Sequence, residues 1–324
     1  MTDRLLEVRD LQTHFHTRAG VLKAVNGVSF TLERGEILGL VGESGSGKSV
    51  TGFSLIGLVD PPGRIAAGSS IRFDGTELVG LPQAQMRALR GKRIAMIFQD
   101  PAATLNPVLT IGQQMTMAVQ AHGGGGAGAA RALAARSLTR VGIPDAAARL
   151  DAYPHEFSGG MRQRVAIAIA LLHEPELIIA DEPTTALDVS IQAQILAEMK
   201  ALAKESGTAL IWISHDLATV SALADRVMVM YAGRIVERGT VAEVLRAPIH
   251  PYTRGLLDSL PALAAPGEKL AQIPGSAPSL LALPPGCPFA PRCPRASEAC
   301  RADPPLVGDA RHGALCRHPL EVAA

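Results

Sequence analysis

V-G-E-S-G-S-G-K-S-V, residues 41–50, is the stretch that decides the fold of this chain of 324 residues. It contains the pattern G-x-x-x-x-G-K-[ST], known as the P-loop, at residues 42–49. The apolar run 37–41 predicts a buried strand before the loop, and residues 49–58 predict a helix after it. The sequence therefore predicts a strand, a tight phosphate-binding turn and a helix, in that order.

The residue types of the P-loop suit a nucleoside triphosphate. Glycine at three positions lets the backbone approach phosphate oxygens, because no Cβ stands in the way. The helix N-terminus offers free N–H groups, Lys48 adds a positive charge near the β and γ phosphates, and the Ser49 hydroxyl can bind Mg²⁺. We therefore predict that the whole loop binds the nucleotide: Gly42, Glu43, Ser44, Gly45, Ser46, Gly47, Lys48 and Ser49.

The charge and the apolar runs of the chain limit its class. Lys and Arg number 31 against 30 Asp and Glu, a net charge of +1, so no strong field draws the chain to nucleic acid or anionic lipid. The N-terminus lacks the apolar core of a signal peptide, and no charge-free apolar run approaches the roughly 18 residues that cross a bilayer. We expect a cytosolic protein with no nucleic-acid partner, for which any role at a membrane requires another subunit.

The N-terminal segment 5–32 alternates apolar and polar residues, which predicts antiparallel strands with a turn near residues 18–20. A second hairpin is predicted with Asp74-Gly75 as its turn. Phe15 lies where such a sheet could place an aromatic ring against the base of a nucleotide, a contact worth about 1 to 3 kcal/mol. His16 is the alternative stacking residue, and ordinary strand packing is the alternative role of Phe15.

A helical insertion is predicted after the strand that ends in Gln99. An amide at a strand end can contact Mg²⁺ or a water through its carbonyl oxygen, although polar residues are common at strand ends. Residues 102–119 have helical spacing, the glycines at 123–126 interrupt it as a flexible connector, and 129–141 resume a helix. This block predicts a helical insertion in the nucleotide domain.

Ser158, Gly159 and Gly160 precede a strongly periodic helix. They form another helix N-terminus with free N–H groups and a hydroxyl, which again suits an anion. An ordinary N-cap is the alternative interpretation of these three residues.

Two adjacent carboxylates end the apolar strand predicted before residue 181. Asp181 fits a role at Mg²⁺, and Glu182 can polarise the attacking water, with a structural ion pair as the alternative. His215 ends another apolar strand and can donate a hydrogen bond to the γ-phosphate. A histidine at a strand end is otherwise structural or merely exposed.

Six features, in this order, resemble an ABC-type ATPase over residues 5–245: the P-loop, Gln99, S-G-G at 158–160, the carboxylates 181 and 182, A-L-D at 186–188, and His215. In that family two nucleotide domains meet head to tail. The resemblance therefore implies that Ser158, Gly159 and Gly160 of one subunit close over the ATP held by the P-loop of another.

The same resemblance implies further roles in the site. Asp188 would lie in the loop that crosses the dimer interface, and the ATP would be bound with Mg²⁺ held by Ser49, Gln99 and Asp181. Catalysis would fall to Glu182, His215 and Gln99, which makes this a hydrolysing site. The signature reads F-S-G-G-M instead of the commoner L-S-G-G-Q, and Gln163 follows two residues later. We count Gln163 among the nucleotide-contacting residues.

The implied fold class is α/β: a P-loop NTPase core with an N-terminal antiparallel β subdomain, a helical insertion and a small C-terminal extension that contains cysteines. The expected nucleotide-binding core comprises residues 1–99 and 161–245. The helical subdomain is expected at 100–160 and ends in the signature, and the C-terminal extension at 246–324.

Finer residues resemble the ATP-binding subunits of dipeptide and oligopeptide (and nickel) importers, above all H-P-Y-T-R-G-L-L-D-S-L-P at 250–261. This resemblance implies two integral membrane permease subunits and an extracytoplasmic substrate-binding protein. It also implies a second ABC ATPase subunit, either a related, distinct chain or a second copy. The chain would lie on the cytoplasmic face of the cell membrane, with segment 100–120 receiving the coupling helix of a permease.

All four cysteines lie in the C-terminal extension, at Cys287, Cys293, Cys300 and Cys316. Four thiols in a short segment with little apolar core favour a metal centre, and a cytosolic compartment disfavours disulfides. The spacing is not that of a C-x2-C zinc ribbon, which favours iron and sulfide over zinc. The matching tail of the importer family is associated with a 4Fe-4S cluster, which we expect here. Zinc and unligated thiols are the alternatives.

Three other classes compete with a peptide importer. A DNA-repair ATPase would carry a long coiled-coil insertion, whereas only 110 residues separate Lys48 from Ser158, and translation ATPases usually carry two nucleotide domains. The H-P-Y-T stretch argues against an exporter, and a non-catalytic binding module would not need Glu182. Nickel chelates and glycans remain alternative cargoes, because the ATPase subunit never contacts the cargo.

Overall fold

The computed structural model describes residues 3–184, 187–260 and 271–321. The strands are β1 (Arg4–Thr17), β2 (Gly20–Glu33), β3 (Ile37–Val41), β4 (Gly63–Ile65), β5 (Ser70–Phe73), β6 (Thr76–Glu77), β7 (Ile94–Ile97), β8 (Leu177–Asp181), β9 (Ala209–Ser214), β10 (Arg226–Tyr231), β11 (Arg234–Thr240), β12 (Leu306–Gly308) and β13 (Gly313–Leu315). The helices are α1 (Lys48–Leu55), α2 (Gln83–Leu89), α3 (Pro101–Thr104), α4 (Ile111–Gln120), α5 (Ala127–Arg140), α6 (Ala146–Arg149), α7 (Gly159–Ala170), α8 (Val189–Ser206), α9 (Leu217–Leu223), α10 (Val241–Arg246) and α11 (Pro251–Asp258).

The chain forms two compact units. The first contains the start of the chain through Leu5 together with Glu33–Glu36 and Gly80–Trp212. The second contains Leu6–Leu32, Ile37–Val79 and the chain from Ile213 onward. The domain boundaries expected from the sequence, at residues 99, 160 and 245, stay predictions.

An antiparallel sheet opens the second unit, with strand order β2-β1-β5-β6 and β4 paired to β1. The two long strands β1 and β2 occupy the segment for which alternation predicted antiparallel strands. The hairpin between β5 and β6 pairs Phe73 with Thr76 and turns at Asp74 and Gly75, as expected. Both turn residues have positive φ, 48° and 77°, which is the backbone twist that favours Asp-Gly in such turns.

The second unit also contains a mixed sheet with the order β12-β13-β11-β10-β3. Strand β3 has the predicted bounds, and all five of its residues are buried. It runs parallel to β10, with Val41 beside Val229. A parallel strand covered on both faces has a continuous apolar sequence, so I-L-G-L-V does not alternate. This burial fixes the start of the P-loop at the end of a rigid strand.

In the first unit, β7 and β8 run parallel, and Ile97 pairs with Ala180. All five residues of β8 are buried. Because parallel strands end at the same edge, the residues that follow β7 and β8 emerge together. Within this unit Arg164 joins α7 to α8, because its guanidinium donates to both carboxylate oxygens of Glu198 at 2.7 and 2.9 Å.

The helical part of the first unit follows β7. The helix expected at 102–119 is two helices, α3 and α4, because Pro107 and the cap at Thr110 divide the segment. The Thr110 hydroxyl accepts from the N–H of Gln113, whose amide in turn accepts from the N–H of Thr110. The glycines at 123–126 connect α4 to α5. Within the described ranges, no helix is both long and apolar enough to cross a membrane.

Candidate functional site

The P-loop links β3 to α1 in the second unit. Gly42 and Gly47 have φ of 156° and 105°, and a Cβ on either would lie 2.1 Å from a backbone oxygen, that of Met230 and Ala24 respectively. No side chain fits at such a distance, so these two glycines are required by packing as well as by conformation. The loop is therefore wrapped tightly around the start of α1.

The ammonium group of Lys48 is hydrogen-bonded to the backbone of this loop. Its side chain is 4% exposed, and the Nζ atom donates to the carbonyl oxygens of Gly42 at 2.8 Å and Glu43 at 3.0 Å. The hydroxyl of Ser46 is buried and makes no hydrogen bond to the protein. An ammonium group, a spare hydroxyl and a helix N-terminus form a donor set for an anion. These residues fit a triphosphate, and Ser49 at the start of α1 fits Mg²⁺ as its partner.

Two further predicted residues lie in the second unit. His215 is exposed directly after β9, and its neighbours fix the backbone: the Asp216 N–H donates to the Ser214 hydroxyl at 3.0 Å. Phe15 is half-buried on β1, where it covers the backbone of Gly63, and His16 is exposed. Base stacking by Phe15 or His16 stays a prediction.

The predicted carboxylates lie in the first unit. Asp181 is 3% exposed at the end of β8, and Glu182 follows with φ of 45°, a conformation that turns its side chain out of the strand direction. Gln99 follows β7 and is exposed, and its amide Nε2 donates to Glu182 Oε2 over 3.4 Å. The structure thus brings Gln99 and Glu182 together, as expected for parallel neighbours, across a long and weak hydrogen bond.

The S-G-G residues begin α7 in the same unit. The Ser158 hydroxyl accepts from the N–H of Met161 at 3.3 Å, and Ser158 and Gly159 are exposed. A Cβ on Gly160 would lie 3.0 Å from Ile191, so the glycine allows α8 to pack there. Ser158 is therefore an N-cap on an exposed helix end, which is compatible with both of its interpretations.

Gln163 and Asp188 have different surroundings. Gln163 is 1% exposed within α7, so its side chain would have to move to reach a nucleotide on another subunit, and its predicted contact stays a prediction. Asp188 is exposed immediately before α8, next to Val189, which is 82% exposed. Ala186 of the A-L-D motif lies outside the described residues.

Contacts that hold the P-loop and the H-P-Y-T stretch were missed by the sequence interpretation. The H-P-Y-T stretch forms the start of α11, and the phenol oxygen of Tyr252 accepts from the backbone N–H of Glu43 at 2.9 Å. Arg292, between two of the cysteines, pairs with the carboxylate of Glu43. Glu237 is buried and accepts from the N–H groups of Ile249 and His250, each at 2.8 Å. The only sequence signal for these contacts was the H-P-Y-T motif itself.

The expected iron–sulfur cluster was wrong. Among the residues that the structure describes, which include all four cysteines, no group of three or more His, Cys, Asp or Glu side chains could hold a metal ion. The cysteines do line one cavity, but its volume is about 10 Å³, the space of a single water. The same arrangement gives no support to the zinc alternative.

The protonation of the thiols agrees with this correction. Burial raises the pKa of Cys316 to about 11, and burial also raises the pKa of Cys287 and Cys293. A thiol must lose its proton to bind a metal, and burial opposes that loss, whereas the positive charge of Arg295 beside Cys293 favours it. No disulfide joins any of the four cysteines, all of which the structure describes.

Comparison with known proteins identifies two family regions. Residues 25–185 match the ABC transporter family, and residues 236–300 match the C-terminal region of oligopeptide/dipeptide transporters. The second match begins within β11 and covers α10, α11 and the tail up to Cys300. The P-loop and H-P-Y-T motifs therefore lie in two separately recognised regions.

Relatives cover nearly the whole chain. The oligopeptide transport ATP-binding protein OppD of Escherichia coli is 51% identical over 94% of this chain and 90% of its own length. The dipeptide transport ATP-binding protein DppD of Escherichia coli is 46% identical over 98% of both chains. These relatives are described as transport ATP-binding proteins and not as metalloproteins, which further contradicts the expected cluster.

A solved structure supports the fold. The dimeric, post-hydrolysis state of the ATP-binding cassette MJ0796, bound to ADP and Pi, superimposes with a TM-score of 0.66 over 73% of this chain and 99% of that one, at 24% identity. The expected α/β P-loop NTPase fold is confirmed. The chain is an ABC-type ATPase and belongs to the oligopeptide and dipeptide transporter family.

Proposed function

We propose that this chain is the ATP-hydrolysing subunit that powers import of dipeptides and oligopeptides through ATP-driven dimer closure. The observation that carries the proposal is the pair of relatives at 51% and 46% identity, one described for oligopeptide and one for dipeptide transport. The match to the transporter-specific C-terminal region supports the same cargo class. The subunit would act on the cytoplasmic face of the cell membrane.

Roles follow from the chemistry of each unit. In the second unit, Lys48 and the N–H groups at the start of α1 would neutralise the phosphates, and Ser49 would hold Mg²⁺. In the first unit, Asp181 and Gln99 are the residues that would hold Mg²⁺, and Glu182 would polarise the attacking water. The chemistry that Mg²⁺ would supply is positive charge next to the phosphate oxygens.

A second ATPase subunit would complete each site. Ser158 and Gly159 present an exposed helix N-terminus, which suits the phosphates of a nucleotide held by another chain. Asp188 is exposed beside Val189, an apolar side chain that a subunit interface would bury. The second subunit is a related chain or a second copy of this one.

Two permease subunits would couple to the helical part. An open groove of about 390 Å³ lies between α4 and α5, and Met117, which lines it, is 60% exposed. Val108, in the loop before α4, is 75% exposed. Exposed apolar side chains around a groove suit the apolar face of a short helix, such as the coupling helix of a permease. An extracytoplasmic binding protein would deliver the cargo.

The test is ATP hydrolysis by the intact complex in lipid vesicles, with its binding protein present. Dipeptides or oligopeptides should raise the rate several-fold, and the permeases should co-purify with this chain. Stimulation by a nickel chelate or a glycan, with none by peptides, would replace the peptide cargo by that alternative. Absence of co-purifying membrane subunits would contradict the transport role.

A further inference from the structure

Arg292 of the C-terminal tail donates hydrogen bonds from every nitrogen of its guanidinium group, all to residues of the second unit. Its Nη atoms donate to the two carboxylate oxygens of Glu43 at 2.6 and 2.9 Å. They also donate to the hydroxyl of Tyr231 at 3.2 Å and the carbonyl oxygen of Ile273 at 3.4 Å. The Nε atom donates to the carbonyl oxygen of Pro274 at 2.8 Å. All three nitrogens are therefore engaged.

The surroundings of Arg292 hold it in one orientation. Its side chain is 5% exposed, and the guanidinium carbon lies 5.8 Å from the ring centre of Tyr231 and 6.0 Å from that of Phe289. Two aromatic faces and a two-point contact with a carboxylate fix a planar guanidinium far better than they would fix an ammonium group. The hydrogen bonds to Glu43 raise the pKa of Arg292 above its usual range.

Glu43 is the second residue of the P-loop, and its backbone sets the position of Lys48. The carbonyl oxygen of Glu43 accepts from Lys48 Nζ at 3.0 Å and from the N–H of Ser46 at 3.2 Å. Its N–H donates to Tyr252. A rotation of Glu43 would therefore move an acceptor of the lysine and reshape the turn of the loop.

The carboxylate of Glu43 also carries a negative charge into a loop suited to an anion. A bound phosphate and an unpaired Glu43 carboxylate would carry charges of the same sign, which would raise the free energy of the bound state. The two-point contact with Arg292 neutralises that charge. The same contact ties the loop to a segment that is 249 residues away in the chain.

We propose that Arg292 is a positioning residue for ATP binding: it neutralises Glu43 and holds one of the two P-loop carbonyls that accept hydrogen bonds from Lys48, so that nucleotide affinity depends on the folded tail. The proposal rests on the proposed phosphate-binding role of the loop. It adds a function for the C-terminal tail that needs no metal. Arg292 acts through Glu43 and does not itself contact the nucleotide.

The test is a double-mutant cycle on the full-length chain, read as the Kd of a non-hydrolysable ATP analogue with Mg²⁺. Arg292→Met should weaken binding about tenfold, because Glu43 is left charged and unpaired. Glu43→Gln should weaken it about threefold, and the double variant R292M/E43Q should bind more tightly than Arg292→Met alone. Arg292→Lys should be intermediate, since a lysine restores charge but not the two-point contact.

Controls separate the possible failures. Arg254→Met removes an exposed arginine that pairs with Asp258 on α11 and should leave the Kd unchanged. Lys48→Ala should abolish binding; if it does not, the phosphate role of the loop fails. If Lys48→Ala fails to bind while Arg292→Met binds like the parent chain, only the role of Arg292 is overturned. If the double variant binds the ATP analogue as weakly as Arg292→Met does, the effect of Arg292 does not pass through Glu43. That result would overturn the positioning role.

A second measurement covers the case in which Arg292→Met does not fold. Amide hydrogen exchange of the P-loop in Arg292→Lys should be faster than in the parent chain, while exchange in β8 stays the same. Equal exchange at the P-loop in both proteins would contradict the positioning role.

Discussion

The backbone N–H of Glu43 donates a 2.9 Å hydrogen bond to the phenol oxygen of Tyr252. This bond joins the P-loop to the helix that begins with H-P-Y-T, and Tyr252 is fully buried. Tyr252 packs against Tyr231 and Phe289, with ring centres 4.6 and 5.3 Å apart. The motif that distinguishes this family thus contacts the loop shared by all P-loop ATPases.

Tyr252→Phe tests this contact. The substitution keeps the ring but leaves the N–H of Glu43 without its acceptor, which should lower the free energy of unfolding by about 1 to 3 kcal/mol and weaken ATP binding. Urea denaturation and a nucleotide titration measure the two effects. Tyr153→Phe is the control, because Tyr153 is 40% exposed. Equal stability of Tyr252→Phe and the parent chain would show that the bond contributes nothing.

His250 should make the fold sensitive to mild acid. Its Nδ1 accepts from the N–H of Tyr252 at 3.0 Å, and burial lowers the pKa of His250 to about 3. Between pH 6.5 and 3 the unfolded chain binds a proton at this residue that the folded chain does not. The free energy of unfolding should therefore fall as the pH decreases, by about 2 kcal/mol from pH 7 to 5 through this residue alone.

The measurement is urea denaturation at pH 7 and pH 5 of the parent chain and of His250→Asn. The variant should lose about 2 kcal/mol less than the parent over this interval. His155→Asn, at an exposed position, is the control and should behave as the parent. A His250→Asn chain with the parent's pH dependence would show that His250 is protonated in the folded state.

Glu182→Gln separates hydrolysis from binding. The amide keeps the shape of the side chain but cannot polarise water, so the hydrolysis rate should fall by about 10²- to 10⁴-fold while ATP binding persists. Single-turnover hydrolysis and equilibrium binding measure the two quantities. Glu205→Gln, exposed near the end of α8, is the matched control. Equal turnover in Glu182→Gln and the parent would remove Glu182 from the mechanism.

Met117→Lys tests the groove between α4 and α5. A lysine there would place a charge against the apolar face of a permease helix, which should reduce peptide-stimulated hydrolysis about tenfold. Basal hydrolysis by the isolated chain should not change, because Met117 contacts no proposed nucleotide ligand. Val21→Lys, at another exposed apolar position, is the control. Undiminished stimulation in Met117→Lys would exclude this groove as the permease contact.

Local signals explain what was predictable from the sequence. Strand β3 was predicted to the residue, because five apolar residues run directly into a glycine-rich pattern with fixed conformational demands. Helix α1 is shorter than predicted: it ends at Leu55, and Gly57, with φ of 61°, leaves the helical conformation soon after. Gln99 and Glu182 were each predicted to follow an apolar strand, but their approach was not predicted and results from the parallel pairing of β7 with β8.

Contacts distant in sequence were not predictable. Tyr252 and Glu43 are 209 residues apart, and no periodicity links them. The cysteine spacing suggested a metal, but spacing contains no information on burial. Burial raises the pKa of three of the thiols, and the cavity that the cysteines line has only the size of one water. The position of Gln163 inside α7 depends on packing that its motif does not encode.

The P-loop should supply only half of a working site, and Ser158 to Gly160 of a second subunit should supply the rest. The most direct test is the rate of ATP hydrolysis per chain, measured for a preparation proven monomeric and for the intact complex. The monomer should bind ATP but hydrolyse it about 100-fold more slowly than the complex. Full activity in the proven monomer, independent of its concentration, would contradict this expectation.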